Sequence, residues 1–226
     1  MSLTGVADAT AAPVASITPG ALAFGTVNAG SSPTLSTTVR NTGTAPLQIN
    51  GPTITGAAAA DYAVSANTCT TAVAPNNQCL ITVRFTPKST GTRSATLTIP
   101  HNAAGSPTSV SLSGTGAAAT FTLSPSPISF GGININTTKS QTVTVKNSGT
   151  IAGTVASASA TSNPAGAFTV AAIPAACVNL APGRTCSVTV NFRPTQRVNY
   201  TGTLSVNGDA RTLPATVTAN MTGQGK

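Results

Sequence analysis

Few residues in this chain could do chemistry. Its acids are Asp8, Asp61 and Asp209, it has one histidine, His101, and it has no glutamate. Hydrolysis by paired carboxylates, or by a Ser–His–Asp set, needs such groups to converge within hydrogen-bonding reach. Asp8 lies in an N-terminal stretch without periodicity, and Asp61 and Asp209 fall in different halves of the chain. Asp61 precedes Tyr62 and reads as a turn cap. His101 follows Pro100 at the end of an alternating run and reads as an exposed loop histidine. No stretch has helical periodicity, so no Gly-rich phosphate loop opens a helix. The expectation is a non-enzymatic chain with no catalytic residues and no cofactor.

The remaining reactive groups are four cysteines, Cys69 and Cys79, then Cys177 and Cys186. The Cys-x2-Cys spacing of zinc sites is absent and His101 is near neither pair, so no metal site is expected. Disulfides Cys69–Cys79 and Cys177–Cys186 fit the spacing. Each would close a loop of about ten residues and stabilise by roughly 3 kcal/mol in the chain-entropy account. They would imply an oxidising compartment. Four buried free thiols are the alternative.

The second cysteine of each pair opens a repeated run. Cys79, Ile81, Val83 and Phe85 alternate with Leu80, Thr82 and Arg84 before Pro87; Cys186, Val188, Val190 and Phe192 alternate with Ser187, Thr189 and Asn191 before Pro194. Period-2 alternation of this kind is a strand with one face in a core. The repetition extends over the whole chain. Leu22–Val27 is matched by Ile128–Ile133, and Leu35–Arg40 before Asn41-Thr42-Gly43 by Gln141–Lys146 before Asn147-Ser148-Gly149. Both Asn-x-Gly stretches predict a tight bend with positive φ. Leu47–Ile49 and, more weakly, 151–155 add a strand to each copy. Phe24, Tyr62, Phe85, Phe130, Phe168 and Phe192 recur at inward positions and read as core. Tyr200 and Phe121 have no such mate and are the expected exposed contacts.

Each copy therefore has about seven short strands, the pattern of a two-sheet β-sandwich. The predicted fold is all-β, two tandem immunoglobulin-like β-sandwiches. The predicted boundaries are a flexible lead-in at 1–16, a first domain at 17–116, a short linker at 117–122 and a second domain at 123–226. A linker this short predicts limited bending.

Charged residues make up only 6% of the 226, and the net charge of +8 comes from scarcity of acids. The eleven Lys and Arg are scattered without runs or interleaved aromatics, which argues against nucleic acid as a partner. No apolar stretch is long enough to span a membrane, so no membrane insertion is expected. Met1–Ala12 lacks the features of a signal peptide, and the chain is expected to be part of a larger one. Asn136, Asn199 and Asn220 begin Asn-x-Ser/Thr sequons, unremarkable in a Thr-rich chain.

The order of motifs is Pro, Phe-Gly-x-Val/Ile, Val-Arg/Lys-Asn-x-Gly, Cys-x-Ile/Val-x-Val-x-Phe-x-Pro and a terminal Gly-x-Gly. It resembles the ASH module, the immunoglobulin-like domain of abnormal-spindle and hydin-type proteins, related to PapD-like and major sperm protein sandwiches. Its bacterial choice-of-anchor D relatives repeat it in tandem, often with the same cysteine pair. The resemblance covers residues 17–116 and 123–225. It implies a structural and interaction module of a bacterial cell-surface or secreted protein. Such a module would act as a rigid spacer and as a scaffold for a protein or glycan. The location implied is extracellular, cell-surface or periplasmic. The alternative it implies is a PapD-like strand-accepting chaperone or assembly module. The cysteine reading is open to direct measurement: the intact mass under non-reducing conditions should be lower by about two hydrogens per pair than after reduction, and equal masses would mean free thiols.

Overall fold

The structure, a computed structural model, describes residues 10–226. The chain forms two compact units. The first holds Ser31–Pro87 and Gly91–Gly116 and the second Ala117–Lys226.

In the first unit, β1 (Ala15–Thr18), β3 (Thr34–Asn41), β5 (Tyr62–Asn67) and β6 (Gln78–Phe85) form one sheet in the order β1-β3-β6-β5. The opposing sheet takes β2 (Ala21–Asn28), β4 (Thr53–Thr55), β7 (Gly91–Ile99) and β8 (Thr108–Ala117) in the order β2-β8-β7-β4. The second unit repeats the plan. Its first sheet has β9 (Phe121–Ser124), β11 (Lys139–Asn147), β13 (Phe168–Val170) and β14 (Thr185–Phe192), ordered β9-β11-β14-β13. Its second has β10 (Ile128–Ile133), β12 (Val155–Ala160), β15 (Asn199–Gly208) and β16 (Thr216–Gly225), ordered β10-β16-β15-β12. Both are immunoglobulin-like layouts in which the first strand is divided between the two sheets. That division gives eight strands per unit. Among the described residues, helix is limited to single 3-10 turns at Ala59–Asp61 and Ala175–Cys177.

The alternation seen in sequence fills the cores. Ile81, Val83 and Phe85 on β6, and Val188, Val190 and Phe192 on β14, have no exposed surface. Leu97, Ile99, Val110 and Leu112 close the first core from the other sheet; Leu204, Val206, Ala219 and Met221 close the second. The rings pack as trios, Phe24–Tyr62–Phe85 and Phe130–Phe168–Phe192, with centroids 4.6–5.8 Å and 4.8–5.5 Å apart. The terminal Gly-x-Gly serves this packing. A Cβ on Gly114 would fall 2.5 Å from Phe85 Cε1, and one on Gly223 would fall 2.5 Å from Phe192 Cε1.

The Asn-x-Gly bend works differently from the expectation. Gly43 and Gly149 are not among the glycines with positive φ. They are needed because the preceding backbone presses on them: a Cβ would lie 2.3 Å from Ala12 O or Ala118 O. The asparagine is the fastener. Asn41 Nδ2 donates to Ala45 O (2.8 Å) and Val73 O (2.9 Å), and its Oδ1 accepts from Gly43 N (3.0 Å) and Val14 N (3.4 Å). Asn147 does the same with Ile151 O, Leu180 O, Gly149 N and Thr120 N. Both asparagines are fully buried.

These bonds move the predicted boundaries. Residues 1–9 of the expected lead-in lie outside the described residues. The rest of it is structural: Ala12 O accepts from Thr44 N (2.9 Å), Val14 O accepts from Thr42 N (2.9 Å), and Ala15–Thr18 is β1. The 117–122 linker is likewise absorbed. Ala117 ends β8 and Phe121 begins β9, while Ala118 O accepts from Thr150 N (2.8 Å) and Ala119 N donates to Arg211 O (2.9 Å). Ala-rich sequence gives no alternation, so its backbone pairing leaves no trace in residue type. The expected strand at Leu47–Ile49 is reduced to bridges from Leu47 to Val73 and from Ile49 to His101, flanked by Pro46 and the Gly51-Pro52 break.

Two substitutions test this account by chemical denaturation. Gly114→Ala should cost about 1–3 kcal/mol by forcing the Phe85 ring to move, whereas Gly20→Ala, with nothing within 4 Å of the new methyl, should change little. Asn147→Ala should destabilise the second unit by about 3 kcal/mol or more, since it leaves several buried backbone groups unpaired; a change below about 1 kcal/mol would refute the clamp.

Candidate functional site

Among the described residues each reactive side chain is held by neighbours in its own unit. Asp61 is buried and ion-paired with the Arg93 guanidinium from β7. It is therefore an internal counter-ion as well as the end of a 3-10 turn. Tyr62 beside it donates to Arg93 O (2.9 Å), and burial, with the Asp61 charge adding to it and Arg93 opposing, pushes its hydroxyl up to about 12. Asp209 accepts from the Arg211 guanidinium (2.8 Å) and the Thr212 hydroxyl (3.1 Å). Burial raises that carboxyl, but the bonds from Arg211 and Thr212 outweigh it and hold it below the ordinary value. Among the described residues no three His, Cys, Asp or Glu side chains group as metal ligands.

Three expectations about exposure are corrected. His101 is only 6% exposed. Its bridge to Ile49 draws it under the following turn, where Nε2 meets Thr108 Oγ1 (2.9 Å) and Nδ1 accepts from Ala103 N (3.3 Å). Tyr200 is 1% exposed. It points inward from β15, meets Phe192 edge-on at 5.4 Å, and its hydroxyl accepts from Thr195 N (3.1 Å) and Gln196 N (2.9 Å). Phe121 is 2% exposed because β9 turns it into the core beside Ala119. Neither aromatic is a surface contact. The cysteines are joined as Cys69–Cys79 and Cys177–Cys186, with Cα–Cα distances of 5.1 and 5.3 Å, each at the start of the central strand β6 or β14.

What remains for recognition is the outer surface, and its make-up is unusual. On the first unit's β7–β8 face the cross-strand pairs are Thr92–Thr115, Ser94–Ser113, Thr96–Ser111 and Thr98–Ser109, and Thr53 and Thr55 of β4 extend two of these rows. On the second unit's β15–β16 face they are Asn199–Gln224, Thr201–Thr222, Thr203–Asn220, Ser205–Thr218 and Asn207–Thr216, with Ser157 and Ser159 of β12 beside them. Every outward side chain in these pairs carries a hydroxyl or an amide, and none carries a charge. Opposed side chains in such pairs lie about 5 Å apart, and rows repeat at about 7 Å along the strands. Two shallow clefts of about 420 and 390 Å3 lie on the second face. One is bounded by Thr161, Asn163, Thr203 and Asn220, the other by Ser129, Gly131, Asn199 and Gln224. In sequence these faces show only as alternate Ser and Thr, the wet half of each strand. Which hydroxyls stand side by side depends on register, which only the sheets supply.

The two units also differ at one edge. In the second, Lys139 Nζ donates to Phe130 O (2.8 Å) and Gln141 Nε2 donates to Ser129 O, which covers the open side of β10. The corresponding positions in the first are Pro33 and Leu35, and Leu35 is 37% exposed.

Two family models match the chain, each over about one unit. The family described as Cep192 domain 4 matches residues 13–117. The family described as abnormal spindle-like microcephaly-associated, ASPM-SPD-2-Hydin (ASH) matches residues 115–215. No curated protein matches the chain. Among solved structures, a protein of unknown function from Porphyromonas gingivalis W83 is 12% identical, with 93% of this chain and 99% of that one covered and a TM-score of 0.39. The human CEP192 ASH/PapD-like domain 7 is 14% identical, with 48% and 87% covered and a TM-score of 0.34. The YadV chaperone is 10% identical, with 92% and 98% covered and a TM-score of 0.35. With its divided first strand, its Phe-x-Pro strand and its Asn-x-Gly clamp, residues 115–215 form an immunoglobulin-like domain of the ASH family, and residues 13–117 repeat the same layout.

Proposed function

We propose that the chain is a non-catalytic interaction module of an exported bacterial protein, a spacer whose hydroxyl-lined sheet faces hold a glycan. The observation that carries this reading is the unbroken set of Ser, Thr, Asn and Gln pairs on the β15–β16 face, joined to two clefts. A protein partner is anchored mainly by buried aromatic and apolar side chains. This face presents none. Rows of donors and acceptors without charge suit sugar hydroxyls, which exchange hydrogen bonds with such groups one for one. Export is supported by a closed disulfide in each unit, a bond that persists in oxidising compartments. The low content of charge fits a surface or periplasmic setting.

A second reading, strand acceptance, is favoured at one place only. The open side of β2 lacks the Lys and Gln covers of its counterpart, since Pro33 and an exposed Leu35 stand at the corresponding positions. An added strand would pair there by backbone hydrogen bonds.

Affinity electrophoresis through neutral glucan, mannan and xylan separates the readings. Retention by at least one is expected. The paired substitution Thr201→Val and Thr222→Val keeps β-branched shape and removes two hydroxyls, so it should weaken retention about tenfold. Undiminished retention of the double variant would sink the glycan reading, as would no retention of the parent chain on any of the three or on an acidic polysaccharide. Slowed amide exchange at Ala23–Thr26 on adding a partner peptide would favour strand acceptance instead.

A further inference from the structure

The basic residues look scattered in sequence, but the fold gathers four of them at one end of the second unit. Arg193 and Arg197 lie in the loop between β14 and β15, Lys139 begins β11, and Lys226 follows β16. The backbone holds these segments together. Asn136 N donates to Pro194 O (2.7 Å), and Arg193 Nε reaches Asn136 O (3.4 Å). Lys226 N donates to Ile133 O (2.8 Å), and Lys226 O accepts from Ile135 N (3.1 Å). Gly225 sits against the Gln196 carbonyl, next to Arg197. The Lys226 side chain lies over Gly132, two residues from Phe130, whose carbonyl takes the Lys139 ammonium.

Among the described residues of the second unit, no aspartate compensates this end. Asp209 follows the far end of β15, a strand of ten residues and so about 30 Å away, and is already paired with Arg211. The cleft bounded by Ser129, Gly131, Asn199 and Gln224 opens at this same end. There the neutral rows of β15–β16 run into the cations.

We propose that this end of the second unit is an anion-binding surface for an acidic polysaccharide. Carboxylate or sulfate groups of the sugar pair with Lys139, Arg193, Arg197 and Lys226, while its hydroxyls engage Asn199, Thr201, Thr222 and Gln224. The inference rests on the glycan reading and narrows its ligand to acidic chains. A nucleic acid fits less well, because the aromatic residues near this end, Phe130, Phe168, Phe192 and Tyr200, are buried and leave no stacking platform. A lipid surface fits less well too, since among the described residues Val198 is the one large exposed apolar side chain there.

The test uses the full chain with its disulfides closed. Binding is measured at low salt to the three neutral polysaccharides, to their chemically sulfated forms, to polygalacturonate and to a single-stranded DNA oligomer. Sulfated forms or polygalacturonate should bind at least about tenfold more tightly than the neutral chains, and the excess should vanish near 1 M salt, where screening acts within about 3 Å. Whichever of the two binds more tightly names the acidic group. The double variant Arg197→Gln and Lys226→Gln should lose most of that excess. Arg40→Gln with Arg84→Gln removes the same charge from the first unit and should lose none. Equal losses in the two variants would overturn the proposal, as would DNA binding of equal strength and equal sensitivity. Neutral chains retained without any gain from acidic groups would overturn this inference alone; retention of no polysaccharide would overturn the glycan reading with it.

Discussion

One buried carboxamide in each sandwich ties together segments that are otherwise only loosely attached. Asn41 reaches the incoming chain at Val14, its own turn at Gly43 and Ala45, and the disulfide loop at Val73. Its backbone adds two more bonds, to Asn77 O and from Asn76 N. Asn147 repeats the set, with Gly183 and Arg184 in the place of Asn76 and Asn77. A buried amide with both donors and its acceptor satisfied has few alternative arrangements, and so fixes where these segments meet. The disulfide complements it by closing the same loop on the central strand. The two together locate β6 and β14, and the aromatic trio then packs against the end of that strand.

Around this shared frame the units have exchanged parts. The first places Tyr62 in the stack and sends its hydroxyl to Arg93 O, with Asp61 neutralising the Arg93 guanidinium. The second has Phe168 at the corresponding place and supplies its tyrosine from the facing strand, as Tyr200. Ala167 stands where Asp61 would be. Both solutions fill the same space, but only the first buries an ion pair. A buried pair gives little net stability over an apolar filling, which is consistent with the second unit dispensing with it.

The scarcity of charge has a functional consequence. Strand alternation sends apolar side chains inward, so the outward half of each strand must be polar. With only 14 charged Lys, Arg, Asp and Glu side chains in the chain, that half is made of Ser, Thr, Asn and Gln. The β7–β8 and β15–β16 faces are neutral as a result, and charge is left for the strand ends and loops. At the Lys226 end of the second unit those ends collect four cations, which gives a neutral face with a charged border.

The all-β class, the twofold repetition and most of the core are legible in residue order alone. Each of these follows from period-2 alternation, which residue type records directly: Ile81, Val83 and Phe85 could be assigned inward without coordinates. The four cysteines could be paired by spacing, because a short loop limits the choices. Tertiary structure decided what depends on register and on neighbours far along the chain. Tyr200 and Phe121 have no mates in the repeat, yet both face inward, since a position's burial is set by its strand partner and not by its counterpart in the other copy. His101 is buried for the same reason, through Ile49. The roles of Gly43 and Gly149 come from an Ala-rich segment whose backbone leaves no pattern in sequence. The hydroxyl rows and the basic end share that cause: side chains tens of residues apart become neighbours only when antiparallel pairing fixes which rung of the ladder each one occupies.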